Sequence, residues 1–291
     1  MSAVETSPPL PPGRHVELPG RGSTFIREVW GPPGAPTVVL LHGWTVTADL
    51  NWFPSYEPLG QRFHVVALDL RGHGGGIRDR MPFRLEDCAD DVAALAGELG
   101  ITSLIAIGYS LGGPIAMLVA RRHPRLVDGV VLCATALEFA GTRQDRLGFM
   151  ALAALARASR VTPTVARRWL SDQYLTRRGR RFDEWAVEQL QRNDPTAVLE
   201  AGAAVGAFDA RPWIGSLRCP AAVIMTSDDH VVTTARQEAL VAALPDAFVR
   251  RLDGDHDVCV ADPEQFVPAL VSACSEVASR SRAPRDVAAG E

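Results

Sequence analysis

Apolar positions along this chain group into short continuous runs separated by longer stretches at helical spacing. Thr37 to Leu41, His64 to Leu70, Leu104 to Ile107, Val130 to Cys133, Ala221 to Met225 and Phe248 to Leu252 are brief and rich in β-branched residues. That pattern suits strands buried on both faces of a parallel sheet. Ahead of them, His15 to Leu18 and Phe25 to Trp30 read as a strand pair about Gly20-Arg21-Gly22, followed by a Gly31-Pro32-Pro33-Gly34 loop. Helical spacing spans Leu85 to Leu99, with Asp87, Asp90 and Asp91 early and Gly100 as its stop; these carboxylates read as surface charges. It returns after Ser110, ending at Arg121-Arg122-His123-Pro124, and again in Arg236 to Leu244 and Pro263 to Ala273. Strands alternating with helices define an α/β fold with a mostly parallel sheet.

From residue 137 to residue 213 the strand pattern stops. Phe149 to Leu155, Val165 to Leu170 and Trp185 to Leu190 are helix-like pieces, broken by Pro163 and by the cluster from Arg177 to Arg181. An all-helical insertion between two parts of one core, residues 14–136 and 214–276, accounts for this pattern. The arginine cluster is either an anion contact or a solvated turn. Residues 1–13 hold four prolines and no periodicity, which predicts a disordered leader; residues 277–291 read as a flexible tail.

Composition narrows the function. With 291 residues and a hydrophobic fraction of 47%, the chain can fill one large core. A net charge of -4 gives no broad basic surface for nucleic acid, and no apolar run approaches a membrane span. Five widely spaced cysteines and the lack of a secretory signal point to reduced thiols in a cytoplasmic protein. No metal-ligand spacing occurs, and no cofactor is expected; oligomeric state is left open.

The chemistry gathers at Ile105-Ala106-Ile107-Gly108-Tyr109-Ser110-Leu111-Gly112-Gly113-Pro114, where a buried strand turns sharply into a helix. A serine at such a turn is a candidate nucleophile, and the glycines on either side let strand and helix approach. Gly108-Tyr109-Ser110-Leu111-Gly112 resembles the nucleophile elbow of the α/β-hydrolase superfamily. The resemblance spans residues 15–275 and implies a mostly parallel eight-stranded sheet with helices on both faces and a helical cap at residues 137–213. It implies that Leu41-His42-Gly43-Trp44 supplies half of an oxyanion hole, with the backbone N–H groups of Trp44 and Leu111 as donors. His42 is a possible base, but a histidine there more often holds the loop. Asn51, Trp52 and Phe53 are placed on a loop at the site mouth, where they contact substrate or pack. Asp69-Leu70-Arg71-Gly72-His73-Gly74 resembles a structural turn of the superfamily, with Arg71 and Asp69 tying the loop to its neighbours.

The order Ser110, Asp229, His256 matches the superfamily's serine, acid, histidine order, each just beyond a predicted strand. Asp229 is favoured over Asp228 and Glu138 as the acid, because Thr226 stands where the Gly-x-x-Asp pattern has its glycine. The last position reads Gly254-Asp255-His256, with aspartate before the histidine where glycine is common. His73 and His230 are loop residues near the site, whereas His15, His64 and His123 need no function. Serine as nucleophile argues against the epoxide hydrolases and haloalkane dehalogenases of the superfamily, which use aspartate. The resemblance thus implies a serine hydrolase of small to medium carboxylic esters, with an apolar ester or acyl compound as its small-molecule partner. A C–C bond hydrolase, an acyltransferase, a cofactor-free peroxidase and a non-catalytic ligand-binding relative remain as alternatives.

Overall fold

Period-two alternation within the central strands sorts their side chains to two faces, and helices cover both. A computed structural model describes residues 7–163, 165–166 and 184–282. Its sheet has eight strands: β1 (Gly13–Leu18), β2 (Gly22–Val29), β3 (Thr37–Leu41), β4 (His64–Leu68), β5 (Leu104–Tyr109), β6 (Val127–Cys133), β7 (Ala221–Thr226) and β8 (Phe248–Leu252). Their spatial order is β1-β2-β4-β3-β5-β6-β7-β8. Only β2 runs against the others, pairing antiparallel with β1 and β4, while β4, β3, β5, β6, β7 and β8 pair parallel.

On one face, Val39, Leu41, Ala106, Leu132 and Val223 join a core with α3 (Leu85–Glu98), α4 (Gly112–Arg122) and α8 (Thr234–Ala243). The alternate residues Val38, Leu40, Ile105, Ile107, Val131 and Ile224 meet α1 (Ala48–Trp52), α2 (Tyr56–Gly60), α9 (Val258–Ala261) and α10 (Pro263–Arg282). Trp52, Tyr56 and Phe266 are the largest side chains fully buried there. Burying each such side chain contributes roughly 1.5–3 kcal/mol. Between β6 and β7 the described residues form α5 (Arg143–Val161), α6 (Glu184–Gln191) and α7 (Pro195–Ala207), with a short 3-10 turn at Ile214–Ser216. Capping fixes two of these starts. Thr142 and Asp145 form a reciprocal capping box on α5, and Asp194 accepts the Thr196 and Ala197 N–H groups at the head of α7. Trp169 and the cluster from Arg177 to Arg181 lie outside the described residues.

Four expectations are corrected. Residues 10–13 of the expected leader are held against the fold: Leu10 packs on the second core, Arg27 donates to the Pro11 carbonyl, and Gly13 opens β1. The expected tail is helical through Arg282, because Val277 and Ala278 continue the buried stripe of Phe266, Leu270, Ala273 and Cys274. Asn51 and Trp52 stand on α1 rather than on a loop, with Thr47 accepting the Leu50 N–H as cap, and both are buried. Asp91 is buried too, its carboxylate bound by Arg21 and by Arg71, which also reaches Asp79.

Candidate active site

Strand order reverses about β3, which lies between β4 and β5, so the loops after β3 and β5 part to opposite sides and leave a crevice at their carboxyl ends. Ser110 stands at the end of β5 with φ +51, in the left-handed region that L-residues rarely occupy. Three hydrogen bonds hold that conformation. Its N–H donates to the Cys133 carbonyl (2.9 Å), and its carbonyl accepts from Gly113 N–H (2.9 Å) and the Thr135 hydroxyl (2.8 Å). The flanking glycines are required sterically, since a Cβ at Gly108 would strike the Gly112 carbonyl and one at Gly112 would strike the Leu41 carbonyl.

His256 follows β8, and its Nε2 lies 2.9 Å from Ser110 Oγ; its Nδ1 lies 2.8 Å from Asp229 Oδ2. Asp229 follows β7 and is almost wholly buried. Burial pushes its carboxyl pKa up, but the hydrogen bond and charge of His256, with donors from Val232 and Thr226, bring it below the ordinary value. An ionised Asp229 only accepts, so Nδ1 carries the histidine's proton and Nε2 is left to accept from the Ser110 hydroxyl. The three residues expected to act together are thus joined in one hydrogen-bonded line.

The loop after β3 passes beside the serine, close enough that a Cβ on Gly43 would come within 3.6 Å of Ser110 Cβ. Among the described residues, neither the Trp44 nor the Leu111 backbone N–H has a protein acceptor. His42 is locked away from proton transfer. Its Nδ1 donates to the Gly43 carbonyl (2.7 Å), its Nε2 accepts the Leu70 N–H (2.9 Å), and burial lowers its pKa to about 4. His73 is buried as well, donating from Nδ1 to the Arg71 carbonyl, so it holds the turn. Phe53 packs edge-on against Trp185. Cys259 comes near the site, with Asn51 Nδ2 3.5 Å from its sulfur, but burial raises its thiol to about 12 and removes it as a nucleophile. Glu138 pairs by its backbone with Asp209 and has no hydrogen bond to His256.

Sequence reasoning missed the supporting residues. Tyr109 donates its hydroxyl to the His256 carbonyl (2.7 Å), and Asn51 Oδ1 accepts the Gly43 N–H (2.8 Å). Gln237, fully buried on α8, donates to Thr226 Oγ1, Asp229 Oδ2 and the Val232 carbonyl. The available signal was a glutamine at the inward helical spacing of Leu240. Among the described residues, no group of three or more His, Cys, Asp or Glu could hold a metal ion, and no helix is long and apolar enough to cross a membrane.

The family model described as alpha/beta hydrolase fold matches residues 36–263. A protein of Agrobacterium fabrum named as the carbamate hydrolase RutD is 31% identical over 245 residues, 80% of this chain and 90% of its own. The pimeloyl-acyl-carrier-protein methyl ester esterase of Chromobacterium violaceum is 30% identical over 244 residues, 81% of this chain and 92% of its own. Among solved structures, the enol-lactonase of Burkholderia xenovorans superposes with a TM-score of 0.71 at 25% identity, over 90% of this chain and 100% of that one.

Proposed function

The chain belongs to the alpha/beta hydrolase fold family, and within it we propose a serine hydrolase of small to medium carboxylic esters that works through an acyl-enzyme. The unbroken line Ser110 Oγ, His256 Nε2, His256 Nδ1, Asp229 Oδ2 carries this reading. Ser110 attacks the ester carbonyl as His256 Nε2 takes its proton, and the Trp44 and Leu111 N–H groups receive the developing oxyanion. Leu111 precedes α4, so the helix dipole adds to its donor. His256 then protonates the leaving alcohol, and water, activated by the same nitrogen, releases the acid. Asp229 keeps the imidazole in its tautomer and offsets its positive charge.

Residues 137–213 act as a cap over this crevice in the same proposal. Trp44 supports that role, because its indole N–H donates to the Val198 carbonyl of α7 at 2.7 Å, joining the oxyanion loop to the insertion. Relatives named for ester, lactone and carbamate cleavage fit attack on an acyl carbon better than the peroxidase alternative. Cys88, Cys133, Cys259 and Cys274 are buried free thiols, which agrees with a cytoplasmic setting.

Ser110→Ala tests the reading. The variant should keep its circular dichroism, lose labelling by a serine-directed phosphonate, and lose at least about a thousandfold in turnover of chromogenic esters of graded chain length. Retained turnover in a folded Ser110→Ala protein overturns it.

A further inference from the structure

Aspartate before the site histidine has no part in the proton path, yet its carboxylate joins the two loops that make it. Asp255 Oδ1 accepts the backbone N–H of His230 at 2.9 Å and that of His256 at 2.7 Å, while Oδ2 meets His230 Nδ1 at 3.0 Å. His230 directly follows Asp229, so a single oxygen grips the residue after the acid and the histidine itself. The pairing is continued by backbone bonds from Ser227 N–H to the Leu252 carbonyl and from Asp228 N–H to the Gly254 carbonyl, both 3.0 Å. Those bonds extend the β7–β8 ladder beyond the strands and end just short of the reacting groups. From there onward Asp255 takes over the connection.

We propose that Asp255 is a positioning residue, whose carboxylate fixes the spacing of the Asp229 and His256 loops and thereby the line from Asp229 to Ser110. The inference rests on the serine hydrolase reading for its kinetic consequence, but not for its geometry. Several observations carry it. His256 is held at both of its backbone polar groups, the N–H by Asp255 and the carbonyl by the Tyr109 hydroxyl. With the main chain pinned, the side chain's distance to Ser110 depends on χ angles alone. Asp255 is half-exposed and its pKa is lowered, first by the His230 N–H and then by the His256 N–H, so it stays ionised and accepting. Gly254, with φ +142, lets the chain turn so that the carboxylate folds back on both amides. The imidazole of His230 is 82% exposed in this pair, so its ionic contact contributes little and the amide contacts matter more.

The test compares Asp255→Ala, Asp255→Asn and His230→Ala in the full chain. Two readouts are followed: kcat and KM on a chromogenic butyrate ester, and the low-field proton resonance of the His256 Nδ1–H that faces Asp229. Asp255→Ala should lower kcat by about 10- to 100-fold with KM within about twofold, as misplacement of about an ångström does. Its low-field resonance should shift or broaden. Asp255→Asn retains an accepting oxygen and should restore most of both, and His230→Ala should change either by less than about threefold. An unchanged kcat and resonance in Asp255→Ala would overturn the proposal. So would a loss appearing only in KM or in melting temperature, or an equal loss in Asp255→Asn, which would assign the effect to charge rather than to the amide grip. If the unaltered protein hydrolyses no ester, the functional reading fails, and the resonance alone still decides whether Asp255 sets the Asp229–His256 contact.

Discussion

Asp229 meets His256 through one oxygen only: Oδ2 lies 2.8 Å from Nδ1, while Oδ1 is occupied by the Val231 and Val232 N–H groups at 2.8 and 2.7 Å. This division decides what an amide would do in its place. In Asp229→Asn the oxygen must stay toward Val231 and Val232, which turns the NH2 toward His256. Nδ1 then has to accept, the proton moves to Nε2, and the imidazole can no longer take the Ser110 proton. We expect turnover to fall by on the order of 10³–10⁴-fold with little loss of stability. Asp228 is exposed and Glu138 lies beyond the end of β6, paired by its backbone with Asp209, so Asp228→Asn and Glu138→Gln should each cost less than about tenfold. Steady-state kinetics of the three variants check the assignment, and a crippled Asp228→Asn or Glu138→Gln would move the acid elsewhere.

Gln237 supports that acid from beneath. Its Oε1 accepts the Thr226 N–H at 3.1 Å, and its Nε2 lies 2.7 Å from the Val232 carbonyl. Gln237→Leu would strand both backbone groups in the core, at about 1–3 kcal/mol for an unsatisfied buried partner. Urea unfolding should show that loss, and kcat should fall by less than about a hundredfold, since Thr226 and the backbone donors still hold Asp229.

The strands, and the placement of Ser110, Asp229 and His256 just beyond them, were legible in the sequence because both are local. Thr37–Leu41 and Phe248–Leu252 end where the apolar runs end, and Ser110, Asp229 and His256 each follow a strand. Helix boundaries were less legible where side chains are small. The last helix continues past Ala273 through Cys274, Val277 and Ala278, a short apolar face interleaved with Ser275, Glu276 and Ser279. The start of α5 was hidden by the polar segment from Arg143 to Arg146, which belongs to a largely exposed helix. Tyr109 and Asp255 were invisible as site residues because their partners are backbone groups or residues far along the chain, and Gln237 was marked only by its inward helical spacing. Only the folded arrangement brings those together.

Phe149 tests the cap reading. The ring packs where a Cβ on Gly206 would sit, and one turn earlier on α7 a Cβ on Gly202 would meet the Trp44 indole at 2.6 Å. Phe149→Ala therefore loosens α5 against the helix that rests on Trp44. The expected outcome is a change in the ratio of long-chain to short-chain ester kcat/KM that exceeds the change on acetate. Equal losses on every ester would assign Phe149 to folding instead.

Acid sensitivity should come from the buried histidine pair. His42 and His73 stack edge-on with ring centroids 5.3 Å apart, and His73 Nε2 has no hydrogen-bond partner among the described residues. Burial is the leading cause that lowers both, to about 4 for His42 and about 3 for His73, with the neighbouring His42 charge adding to the second. The folded state therefore excludes protons that the unfolded chain binds near pH 6.5. Stability from each histidine is fully present above the unfolded pKa and is lost as pH falls toward the folded value, at about 1.4 kcal/mol per pH unit per group. Comparing the unaltered protein with His73→Phe cancels the other titrating groups, because the variant keeps a ring in the same space and loses one proton site. Urea unfolding between pH 5 and 6 should give a slope of stability against pH that is shallower in His73→Phe by about one proton's worth. Parallel slopes would mean that His73 is protonated in the folded protein, and the buried turn would then hold a charge without a partner.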